Sequence, residues 1–155
     1  MVRAALIAFL CVAVFATAAP AAGDFGMGII AGEPTGLSAK LHLSHASAID
    51  AAVAWSFGGG EDAFLVLADY VLHNFDIIKV DTGTMALYFG IGGRIKFADN
   101  EQVGIRVPVG LDYMFQGAPV DIFGELVPIL DLVDETELNL NAAVGVRYFF
   151  GGTSY

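Results

Sequence analysis

Thr84–Phe97 reads TMALYFGIGGRIKF, and Val103–Phe115 reads VGIRVPVGLDYMF. In both stretches large apolar residues fall on every second position. Met85, Leu87, Phe89, Ile91 and Ile95 alternate with Ala86, Gly90, Gly92, Arg94 and Lys96. Val103, Ile105, Val107, Val109 and Leu111 alternate with Gly104, Arg106, Gly110 and Asp112. A period of two belongs to a β-strand, whose successive side chains point to opposite faces. Nothing in either stretch has a helical period.

The same alternation extends in both directions and divides the chain into eight segments between turn signals. They are Phe25–Gly32, Leu37–Leu43, Ile49–Phe57, Phe64–His73, Thr84–Phe97, Val103–Phe115, Val120–Leu132 and Leu138–Phe150. The connections are short, so neighbouring segments are expected to pair antiparallel as a meander. Pro108 and Pro128 fall inside segments, where a missing N–H predicts bulges. Leu65, Leu67 and Val71 share parity with Asp69 and His73, which makes the fourth segment less regular.

One face of these segments is large, apolar and free of charge. The other face is small or ionic. It carries Lys40, Asp50, Asp69, Arg94, Lys96, Arg106, Asp112, Asp121, Glu125, Asp131 and Arg147, set among glycine, alanine and serine. The whole chain has 155 residues, 15% charged and 56% hydrophobic, with a net charge of −10. That is room for one domain. The acidity argues against a nucleic-acid partner, whose phosphates require a basic face.

Two architectures share this pattern. A soluble barrel buries the apolar face. An outer-membrane barrel turns that face to lipid and the ionic face to the lumen. Three features favour the second. A soluble surface is dense in Lys and Glu, whereas the ionic face here is mostly small residues with near-balanced charge. That suits the narrow interior of eight strands, which side chains just fill. The apolar-face aromatics also fall at two levels. Trp55, Phe57, Phe64 and Phe97 lie near one rim, and Phe25, Tyr113, Phe115, Tyr148 and Phe150 near the other. Two girdles match two water–lipid interfaces. Finally, an even number of strands puts both termini on one side, and closure removes sticky edges. The expected fold is an all-β, eight-stranded antiparallel up-and-down transmembrane barrel over residues 23–155.

Residues 1–22 read as a secretory signal peptide. Arg3 supplies the positive n-region, Ala4–Phe15 the apolar core, and Ala16-Thr17-Ala18 or Ala19-Pro20-Ala21 the small cleavage residues. The single cysteine, Cys11, lies in that segment behind the bulky Phe9-Leu10, so lipidation is not expected. The mature chain then has no cysteine, which excludes a disulfide framework and thiol catalysis.

With these residues in hand, the chain resembles the small outer-membrane barrels of the OmpX and OmpA-transmembrane-domain type. Gly28–Ser38 and Ser47–Phe57 look closer still to an uncharacterised family of small bacterial barrels known partly from spirochaetes. Gly145, Tyr148 and Phe150 are similar to the assembly signal that such barrels present to their insertion machinery. Ala143 stands where that signal usually has a polar residue, and five residues follow Phe150. The resemblance implies outer-membrane lipid and the insertion machinery as partners, and a monomeric barrel exported to the outer membrane.

Candidate chemistry is sparse. The inward ions are expected to form a salt-bridged plug, with Arg94, Arg106 and Arg147 pairing with Asp112, Asp121, Glu125 or neighbours, because an unpaired buried charge is costly. A small conducting channel is the alternative. His42, Ser44, His45 and His73 lie near two turns, yet no acid is placed beside them, so a lipid-modifying Ser/His/acid enzyme is not expected. Asp131, Asp134, Glu135 and Glu137, and Glu61 with Asp62, lack the spacing of a calcium loop and read as solvated turns. Gly58-Gly59-Gly60 lacks the Lys and helix of a phosphate cradle. No cofactor, metal or catalytic residue is expected. The expected role is structural, or docking of a protein partner at the surface loops. A soluble periplasmic barrel binding an apolar ligand is the competing reading.

Overall fold

The structure, a computed structural model, describes residues 25–56, 63–133 and 135–150. The signal-peptide segment, Phe57, Glu61, Asp62 and Asp134 lie outside these residues. Among the described residues there are nine strands: β1 (Phe25–Gly32), β2 (Gly36–His42), β3 (Ser47–Ser56), β4 (Ala63–Asn74), β5 (Thr84–Phe97), β6 (Gln102–Arg106), β7 (Val109–Met114), β8 (Val120–Asp131) and β9 (Glu137–Phe150). All pairings are antiparallel. β4 pairs with β5, and β1 with β9, so the sheet closes into a barrel.

The nine segments make the eight expected crossings. β6 and β7 both lie between β5 and β8, and together make one crossing interrupted at Val107-Pro108. The expected bulges are absent. Arg106 faces Ile129 and Val109 faces Leu126, so two residues on one strand, Val107 and Pro108, match two on the other, Val127 and Pro128, across the break. The physical cause is the loss of two donors. Val107 N–H donates to Pro128 O at 3.0 Å, but Pro128 has no N–H to return the bond. Gly90 N–H donates to Pro108 O at 3.0 Å, and Pro108 likewise returns nothing. Each proline removes half of a reciprocal pair and keeps its carbonyl half, so the ladder thins while the register holds.

Register decides the two faces. Met27, Ile29, Phe89, Ile91, Val109, Leu111, Ile122, Leu126, Val144 and Val146 are exposed around the outside. Ile30, Leu67, Val71, Tyr88, Phe123, Val127, Ile129 and Phe149 are buried inside, with the buried ions. The interior is therefore not only small and ionic. Large rings fit because glycines on adjacent strands leave room: a Cβ on Gly26 would lie 2.8 Å from the Phe149 ring, and one on Gly145 would collide with Phe123.

The wall is uneven. β1 and β2 span 8 and 7 residues, whereas β5 and β9 span 14 each. β1 stops at Gly32, opposite Ala143, so the start of β9 stands beyond its neighbour. Leu138 and Leu140 there are the most exposed large apolar residues, at 74% and 67%, because no strand flanks them on that side.

Candidate functional site

The inner face gathers charged side chains from strands far apart in sequence into three groups along the barrel axis. Nearest the termini, Lys40 (β2), Asp50 (β3), His73 (β4), Asp112 (β7), Asp121 (β8) and Arg147 (β9) converge, and all are buried. Arg147 Nη2 donates to Asp121 Oδ2 at 2.8 Å and Nε to Asp121 Oδ1 at 3.0 Å. The same guanidinium reaches Asp50 and Asp112, each at 3.5 Å. Its plane lies 4.0 Å from the Phe123 ring centroid. A planar fork with five donors can grip one carboxylate with two bonds and still reach two others, which the three donors of an ammonium cannot match. Lys40 Nζ donates to Asp112 Oδ2 at 2.6 Å, lies 2.9 Å from His73 Nε2 and sits 5.1 Å from the Tyr88 ring centroid.

Midway along the axis, Arg106 Nε donates to both oxygens of Asp69, at 3.0 and 3.1 Å. Its Nη2 lies 3.4 Å from Glu125 Oε1, and Tyr88 donates its hydroxyl to Glu125 Oε2 at 2.9 Å. At the far mouth, Arg94 Nη2 donates to Asp131 Oδ2 at 2.6 Å, and Asn139 Nδ2 donates to the same oxygen at 2.9 Å. Lys96 stands beyond Arg94 on β5 and is half-buried. Arg106, Arg147, Tyr88, Lys40 and Phe149 are the largest fully buried side chains of the described residues. Their bulk fills the axis.

The pairing differs in detail from the sequence-based expectation. Arg94 meets Asp131, and Arg106 meets Asp69 as well as Glu125. Lys40, His73, Tyr88 and Asn139 are network members whose partners the sequence did not single out. Their signal was parity: His73 shares a face with Asp69, and Tyr88 shares one with Arg94.

The girdle aromatics lie on the outer register. Trp55, Phe64, Phe115, Tyr148 and Phe150 are exposed, and Phe25, Phe97 and Tyr113 are half-buried. Phe64 stacks on Phe97 at 6.3 Å near one rim. Phe25 stacks on Phe150 at 6.2 Å near the other. Phe57 lies outside the described residues.

The histidines close the end that carries the termini. The His42 ring lies 5.6 Å from His73 and 5.5 Å from Phe149, and Phe75 stacks on both His45 and His73. Ser44 Oγ meets Ser47 Oγ at 2.7 Å and accepts from the N–H groups of Ala46 and Ser47, which closes the β2–β3 turn. That is the geometry of a turn-stabilising hydroxyl. Among the described residues no group of three or more His, Cys, Asp or Glu is arranged to hold a metal ion.

No family model and no curated protein matches the sequence. Among solved structures, the chain is similar to the N-terminal β-barrel domain of Pseudomonas aeruginosa OprF. The TM-score is 0.60 at 12% identity, over 83% of this chain and 98% of that one. The likeness is one of fold: a closed antiparallel β-barrel.

Proposed function

We propose that this protein is an outer-membrane barrel with a filled lumen, acting as a structural element of the membrane or as a surface module, and not as an enzyme. One observation carries the reading. Every charged residue within a strand has inward register, and the outer register is uncharged on every strand and apolar but for Ser47 and Asn74 at strand ends. A water-facing wall without a single ion has no solubility rationale, whereas a lipid-facing wall requires that composition. The inner ion network supplies the complementary half, because charges beside lipid must be paired inside the protein. The OmpA-like fold and the two levels of aromatics support the same placement. The likeness of Gly28–Ser38 and Ser47–Phe57 to the barrel family with spirochaetal members adds to it.

In this reading the signal peptide directs export, the insertion machinery places the barrel, and lipid surrounds a monomer. The lumen is a plug and not a conduit, since guanidinium and aromatic groups fill it. The test is cell fractionation with detergent extraction, followed by gel electrophoresis with and without boiling. Recovery in the outer-membrane fraction with heat-modifiable migration is expected. Release into the soluble periplasmic extract would overturn the proposal in favour of a soluble barrel with an apolar ligand.

A further inference from the structure

The β4–β5 connection, residues 75–83, lies at the end of the barrel that carries the termini. Turns of two to five residues suffice for such hairpins, so its nine residues exceed what chain reversal needs. Its two ends are held on opposite sides of the wall. At the start, Phe75 stacks on His73 and His45 at the lumen mouth. At the finish, Tyr113, which has outward register on β7, donates its hydroxyl to Thr82 O at 2.8 Å. Gly83 follows with φ of 77°, and a Cβ there would strike Met114 O and the Tyr113 ring. The connection therefore crosses the rim from lumen to outer surface.

Between those anchors it shows apolar side chains to the surroundings, beside the exposed carboxylates of Asp76 and Asp81. Ile77 is 60% exposed, and Val80 is also exposed. Leu43 and Phe115, on the two neighbouring turns, are exposed at the same rim. These four continue the apolar outer wall past the ends of the strands. Lys79, the only cation outside the strands among the described residues, sits between Ile77 and Val80. Its Nζ donates to Phe75 O at 3.3 Å and to Asp76 Oδ1 at 3.2 Å. A short segment that pairs apolar side chains with a surface-exposed ammonium matches the boundary between acyl chains and headgroups, where long basic side chains reach the polar layer.

We infer that the β4–β5 connection is an interfacial anchor. It beds Ile77 and Val80 into the phospholipid leaflet on the terminus side and presents Lys79 to the phosphates. The inference rests on the membrane placement proposed above. Its occupant is lipid, by continuity with the apolar wall.

The chain has a single tryptophan, Trp55, on the outer face toward the opposite rim. The native protein is folded into phosphatidylcholine vesicles brominated at shallow or deep acyl positions. Quenching of Trp55 tests the membrane placement alone. The double variant Trp55→Phe/Ile77→Trp then reports the connection, with heat-modifiable migration as the folding check. Should that variant fail to fold, Trp55→Phe/Val80→Trp takes its place. Blue-shifted emission, quenched more by shallow than by deep bromines, is the expected result. Water-like, unquenched emission at position 77 or 80, with Trp55 quenched in the native chain, overturns the anchor and leaves the membrane barrel standing. Absence of quenching at Trp55 in the native chain and at position 77 or 80 overturns both.

Discussion

Replacing Arg147 by Met removes the cation shared by Asp50, Asp112 and Asp121 while keeping most of the side-chain volume. Removing one partner of a buried ion pair costs about 3–5 kcal/mol, because the other charge stays buried without compensation. Three carboxylates lose a donor here, and the Arg147 side chain is only 1% exposed, so the upper end applies. With a urea slope of about 2 kcal/mol/M, a loss of about 5 kcal/mol lowers the unfolding midpoint by about 2.5 M. Arg147→Lys keeps the charge and loses the fork, and should fall between the two. Arg94→Met is the contrast. Arg94 serves one carboxylate, Asp131, where Arg147 serves three, so its loss should cost the lower end, about 3 kcal/mol. The assay is urea unfolding of barrels folded in vesicles, followed by loss of the heat-modifiable gel band. An Arg147→Met midpoint within about 0.5 M of wild type, or no lower than that of Arg94→Met, would refute the reasoning.

Three further outcomes are expected. Gly26→Val pushes its side chain into the Phe149 ring and should destabilise by about 1–3 kcal/mol. Most of that loss should return in the Gly26→Val/Phe149→Leu double variant, and urea midpoints check it. Ile91→Arg, in the middle of β5, should penalise folding into vesicles by about 2–4 kcal/mol, and Leu138→Arg at the rim by about 0–1 kcal/mol. Equal, negligible penalties at the two positions would contradict lipid contact. His42→Ala/Ser44→Ala should leave the lipid composition of the expressing cell unchanged, and an altered acyl or headgroup profile by mass spectrometry would indicate catalysis.

The strands and their faces were legible because alternation is a local property. Phe25–Gly32 and Thr84–Phe97 begin and end where the pattern says they should. The partners inside the lumen were not legible, because they depend on the stagger between distant strands. Lys40 meets Asp112 across 72 positions, and Arg147 meets Asp50 across 97. Phe123 and Phe149 on the inside were missed for a related reason. Each reads as one more apolar residue until Gly145 and Gly26, on neighbouring strands, are seen to open the space beneath it. Pro108 was visible as a disturbance. Its effect was not, since a lost donor produces a bulge or only a thinner ladder according to whether the neighbouring carbonyls keep their bonds.

In the proposed membrane placement, the short β1–β2 hairpin beside the tall β8–β9 hairpin sets the bilayer a directional task. A bilayer of uniform depth cannot match both heights at once. Leaning the barrel toward its low side, or thinning the lipid there, would relieve the difference. Either response singles out one azimuth of an otherwise round object. Neighbouring molecules in a crowded membrane would then meet this barrel with a preferred facing.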